Sequence, residues 1–144
     1  MRIESRLTNP KNYDGVRPER IKYIVIQNIG NKFSPHYHVK DGKAVQIIPD
    51  SNMSNSVNGG KLSDCGVFHG VCTKYNSISI GVCDNLSKED KKICLNLVMT
   101  LKQRYKINNN DVVRQKDITG EVDPGKWYDD DCWNNDIKNK LIDI

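Results

Sequence analysis

The sequence predicts a single α/β domain in which a central mixed sheet of about five strands is flanked by helices. Three observations carry that expectation. Ile21, Tyr23, Val25 and their neighbours form an apolar, β-branched run, the pattern of a strand buried on both faces. HYHVK and KAVQII flank Asp41-Gly42, a two-residue hairpin signal, because glycine accepts the positive φ such a turn demands. Ile93, Leu97, Leu101 and Tyr105 recur every four positions, so one helical stripe is expected to pack on the sheet.

Taken in order, the first strand ends at Gln27, the carboxyl end where open α/β sheets place their sites. The hairpin follows. Ser51 to Tyr75 is rich in Ser, Asn and Gly without sustained periodicity and reads as a long loop, a length class that tends to be functional or mobile. Ser77 to Val82 returns as a strand. Ser87 sets a side-chain acceptor before the acidic first turn Glu89-Asp90, an N-cap for the next helix. Asn108 to Asn110 ends that helix, and Asp111 to Arg114 reads as a short parallel strand. A last helix, from about Asp129 to Ile142, carries Trp133, Ile137 and Leu141 on one face. Nothing repeats internally, so residues 1–144 are expected to form one domain.

Hydrophobic residues make up 37% and charged residues 28%, which fits a soluble globule with a modest core. No run approaches the roughly 18 apolar residues a membrane span needs, and MRIESRLTNPK lacks the apolar centre of a signal peptide. The chain is therefore expected to be cytoplasmic as synthesised. Its five cysteines, Cys65, Cys72, Cys83, Cys94 and Cys132, are an odd number without a secretion signal and read as free thiols. Net charge is +4, but the lysines are scattered among Asp and Glu, the pattern of a solvated surface and not of a nucleic-acid or membrane patch.

Two segments carry a family likeness. IKYIVIQNIG at 21–30 and VVRQKDITGEVDP at 112–124 resemble the ligand-bearing segments of the type 2 N-acetylmuramoyl-L-alanine amidases, the zinc peptidoglycan amidases to which endolysins and peptidoglycan recognition proteins are related. SPHYHVKDG, KAVQIIPD and NSISIGVC are similar to further family segments in the same order, and the likeness runs from about residue 21 to 126. It implies an amidase-type fold and zinc held by two His and a Cys or Asp before Pro. Here those positions hold Gln27, Gln115 and Asp123, so both histidines are replaced.

Zinc binds imidazole nitrogen, thiolate and carboxylate, whereas a neutral carboxamide oxygen is a poor donor for it. The expectation is a zinc-free site in which two amides and a carboxylate satisfy one another, although a lone Gln is more often a surface amide. The family's strand Glu falls on Gly81 or Cys83, neither a comparable base. Its Lys before the third ligand falls near Glu121, of the wrong charge for an oxyanion. Its Trp-His is replaced within Asn55-Ser56-Val57, and only residues 28–35 stand where a helix is common. Trp127 and Tyr128 either edge a groove or pack. His36 and His38 share a strand face, and His69 lies in the long loop with Cys65 and Cys72; a rebuilt metal site is conceivable there, against a packed or surface role. Cys72 and Cys83 also read as small buried hydrophobes.

Three functions are consistent with these residues. One is a degenerate amidase-like domain recognising peptidoglycan fragments or a protein partner, acting at the cell wall if exported. The second is a working N-acetylmuramoyl-L-alanine amidase with an unusual metal site, and the third is an interaction module that binds no glycan.

Overall fold

In the computed structural model, which describes residues 2–29, 34–57, 66–121 and 123–141, six strands form one mixed sheet. They are β1 (Ile3–Ser5), β2 (Tyr23–Asn28), β3 (Tyr37–Lys40), β4 (Lys43–Gln46), β5 (Ser77–Val82) and β6 (Val112–Arg114), in spatial order β1-β4-β3-β5-β2-β6. Only β3 and β4 pair antiparallel. The β1, β3 and β6 pairings with β4, β5 and β2 are parallel, as is β2 with β5. Parallel central strands must be covered on both faces, which is why β2 is apolar through Ile24, Val25 and Ile26 and β5 is apolar or small along its length.

The Asp41-Gly42 turn forms as the sequence requires, with φ of 53° and 74° at its two residues. On one face lies α1 (Lys88–Tyr105), capped by the Ser87 hydroxyl accepting from Asp90 N at 3.0 Å. Ile24, Ile26, Ile78, Ile80, Leu97, Val98 and Leu101 fill the core beneath it. The other face is smaller: Val25, Val113, Val57, Cys72 and Ile118 pack there, with Tyr23 and Phe68 meeting edge to face at 5.9 Å. Successive side chains of a strand alternate between faces. Val25 and Gln27 therefore belong to this second face, as do Ser77, Ser79 and Gly81 of β5, beside β2 in register.

Four expectations change. The sheet has six strands instead of about five, because the short N-terminal β1 adds to β4 by backbone pairing that a single apolar residue, Ile3, does not announce. The buried stripe of α1 runs through Asp90, Cys94, Leu97, Val98, Leu101 and Lys102, while Ile93 and Tyr105 flank it half-buried. Two short helices were not anticipated after β6: α2 (Gln115–Thr119) and a 3-10 turn at Gly125–Tyr128. The terminal helix is α3 (Asp130–Asp136), broken at Ile137 and followed by a 3-10 turn at Lys138–Lys140; Trp133, Ile137 and Leu141 are nonetheless all buried. Among the described residues no helix is long and apolar enough to cross a membrane.

Candidate functional site

Gln27 occupies the penultimate position of β2 with none of its surface exposed. The strand's alternation aims it at the second face, where α2 begins with Gln115 directly after β6. Because β6 lies beside β2, the two amides meet: Gln27 Nε2 donates to Gln115 Oε1 at 3.1 Å. The same nitrogen donates to the Ser56 carbonyl at 3.1 Å, while Gln27 Oε1 is buried and has no hydrogen-bond donor among the described residues.

Asp123 bridges the end of β2 and the start of α2. Its Oδ1 accepts the Asn28 N–H at 2.8 Å, and its carbonyl accepts the Lys116 N–H at 2.9 Å, so it stands one residue beyond each glutamine. The Asp123–Pro124 bond is cis. Burial raises the Asp123 carboxyl to about 6; the Asn28 N–H opposes that rise, while Glu121 and Asp84 add to it. The segment is held from below by Arg114. Its guanidinium bonds Asp117 at 3.0 Å and Asp130 at 2.8 Å, donates to the carbonyls of Trp127 and Tyr128, and lies 5.5 Å from the Trp133 ring.

The Ser56 carbonyl is aimed by a buried chain of hydroxyls. Ser54 Oγ donates to the Ser34 carbonyl, so it receives the Ser56 hydroxyl at 2.7 Å; Ser56 Oγ lies 3.1 Å from Ser79 Oγ. His36 completes the chain. The Ser79 N–H donates to His36 Nδ1 at 3.1 Å, which leaves Nε2 protonated and donating to the Asn52 carbonyl at 2.8 Å. Burial holds the His36 pKa down at about 4, with Arg17 lowering it further and the Asn52 contact opposing, so the ring is neutral at pH 7. Arg17, in a polar stretch that gives no sequence signal, staples the region from outside. It donates to the carbonyls of Asp50, Asn52, Lys74, Tyr75 and Ser77 at 2.9–3.4 Å.

The zinc site that the resemblance implies meets a different donor set. Zinc takes imidazole, thiolate or carboxylate. Here two carboxamides are bonded to each other and one carboxylate is engaged by a backbone N–H. That set does not fit zinc. Gly81 lies beside Gln27 in register, but a Cβ there would approach Pro35 Cγ to 2.9 Å and Ile29 Cγ1 to 3.0 Å, so a glutamate would have to push these side chains aside. Cys83 is half-buried, and Glu121 is exposed. Cys83 instead lines a separate cleft of about 80 Å³ with Asp84, Lys91, Lys126 and Cys132.

Other candidates fall away from the amide pair. Trp127, expected as a possible groove edge, is buried: it meets Trp133 edge to face at 5.7 Å and donates its indole N–H to Asp136 at 2.9 Å. Tyr128 beside it is exposed. His36 and His38 share the Ser79–Gly81 face, but both His36 nitrogens are engaged, so the pair offers no second imidazole to a metal. His69 is half-buried, Cys72 is buried with its thiol pushed up by desolvation, and Cys65 lies outside the described residues. No cluster of three His, Cys, Asp or Glu suited to a metal occurs among the described residues.

No family model matches the chain, and no curated protein does. Solved structures do. The structure of PlyL is similar at a TM-score of 0.72 with 20% identity over 96% of each chain. A mutant endolysin from Bacillus subtilis is similar at 0.73 with 21% identity, covering 96% of this chain and 97% of that one. The N-acetylmuramoyl-L-alanine amidase LysC from Clostridium intestinale URNW is similar at 0.61 with 15% identity, covering 94% and 96%. At these identities the likeness is one of fold, and it spans nearly the whole of each chain.

Proposed function

We propose that this chain is a zinc-free, catalytically degenerate N-acetylmuramoyl-L-alanine amidase-like domain that recognises peptidoglycan fragments through the former substrate groove. The observation that carries the reading is the direct hydrogen bond between Gln27 and Gln115, at the two positions where the resembling family holds zinc. An amide pair closed on itself leaves nothing to lower the pKa of an attacking water or to polarise a scissile carbonyl. The crowded position at Gly81 and the exposed acid at Glu121 support the same reading, since neither a strand carboxylate nor an oxyanion cation is supplied. Solved endolysins and an N-acetylmuramoyl-L-alanine amidase share this fold across its length, which supports peptidoglycan as the ligand class.

A protein partner is the second reading, favoured by Val67, Val71 and Tyr75, which expose 86, 52 and 43% of their surface near one another in sequence. A muropeptide release assay paired with calorimetry on the same fragments tests the first. Binding without release is expected. Release that resists chelators and disappears in Asp123→Ala would overturn the degenerate reading.

A further inference from the structure

We propose that the cleft at the carboxyl end of β5, on the α1 face of the sheet, binds a zwitterionic α-amino acid head group, with its carboxylate drawn to Lys126 and its ammonium to Asp84. The site is separate from the amide pair, which belongs to the opposite face, and it stands whether or not the peptidoglycan reading does. The cleft has a volume of about 80 Å³, room for a head group of a few heavy atoms, since one liquid water takes about 30 Å³. Its walls come from the turn after β5, from α1 at Lys91 and from the segment running from Pro124 into α3.

The lining is mixed in the way small-molecule sites are, apolar surface with a few charged groups. Val82, Leu86, Pro124 and Trp127 supply the apolar part, and Val82 and Trp127 are fixed in the core beneath α1. Two of the charges are committed to each other. Lys91 meets Asp136 at 3.2 Å, and Asp136 also accepts the Trp127 indole N–H at 2.9 Å.

Asp84 and Lys126 are left over. Both line the cleft and are exposed, and neither side chain makes an ion pair or hydrogen bond among the described residues. Packing sets where Asp84 stands: a Cβ on Gly125 would lie 2.9 Å from Asp84 Cα and 3.2 Å from its Oδ1. Lys126 follows that glycine directly, so opposite charges flank one opening without meeting. A ligand of a single sign would satisfy one of them and be repelled by the other. An α-amino acid head group carries both signs on one carbon, answers both with charge-assisted hydrogen bonds, and leaves its side chain for the apolar wall.

The test is titration calorimetry of the full chain with free alanine, N-acetylalanine and alanine amide, the last two lacking one charge each. Alanine is expected to bind, and each blocked analogue to bind at least about tenfold more weakly. Asp84→Asn and Lys126→Met should each weaken alanine by a similar factor without shifting the urea midpoint, since both residues are exposed. Cys83 and Cys132, free and half-buried on the cleft wall, report where the ligand sits: bound alanine should slow their alkylation by iodoacetamide, read peptide by peptide in a mass spectrometer. No binding of alanine, undiminished binding in both variants, or alkylation at an unchanged rate overturns the assignment. N-acetylalanine binding as tightly as alanine would give the cleft to anions, and alanine amide doing so would give it to cations; either overturns the zwitterion. Nε-acetyl-lysine carries the same head group on a long neutral chain. Tighter binding than alanine assigns a tethered head group and exclusion assigns a free small amino acid, and both results support the charge assignment.

Discussion

At Gln27 a single amide nitrogen answers two acceptors while its own oxygen meets no donor among the described residues. Gln27→Leu removes both of these bonds from a buried site and should lower stability by about 1–3 kcal/mol in urea unfolding. The double variant Gln27→Leu/Gln115→Leu should cost less than the two single changes together, because removing both partners leaves fewer unpaired atoms. Additive losses would mean the pair is not coupled. His36 gives a pH prediction. Its folded pKa is depressed below the usual value of about 6.5, so its contribution is present above that value and lost as pH falls towards about 4, on the order of 3 kcal/mol. Ring resonances of His36 should titrate near 4; a midpoint near 6.5 would show the ring to be solvated. Asp123 acts in the opposite sense, its raised carboxyl favouring the fold at low pH and losing that contribution as pH rises through about 6. The two glutamines and Asp123 were visible in the sequence only through the resemblance, since nothing local about a Gln ending a strand marks it as buried. Arg17, which donates to five carbonyls, was invisible because its partners come from two distant loops.

Among the elements, β2, β5, the Asp41-Gly42 hairpin and α1 were legible because each is specified locally, by β-branched runs, a positive-φ turn or a capped periodic pattern. The break at Ile137 was not, because tertiary contacts hold the turn just past it, Lys138 Nζ donating to the carbonyls of Asn109 and Val112; the start of α2 was missed although its cap is local, the Arg114 N–H donating to Asp117 three residues on. Two element-scale outcomes follow. Arg17→Met should cost about 2–3 kcal/mol and raise hydrogen exchange in Asn52–Val57, because buried carbonyls lose a charged donor; exchange unchanged there would remove Arg17 as the staple of that segment. Gly81→Ala should destabilise by about 1–3 kcal/mol, since its Cβ would press on Pro35 and Ile29. A neutral result in unfolding experiments would show that the groove wall gives way and that a carboxylate has room there after all.

For the whole molecule, the fold is shared across nearly the full length of the solved structures it resembles, and within it Gln27 and Gln115 meet as two bonded carboxamides. The strands β2, β5 and β6 are held by their own core and ladders, and the amide pair adds a hydrogen bond between β2 and α2. Restoring imidazole at both positions should therefore return a metal site to a fold that already presents it, whereas either change alone leaves too few good ligands. The most direct measurement is the zinc content of the purified full chain by elemental analysis after incubation with zinc and buffer exchange, wild type beside Gln27→His/Gln115→His. The wild type should retain far less than one zinc per chain and the double variant close to one; a wild type that retains close to one zinc per chain would contradict the replacement of the metal site by the amide pair.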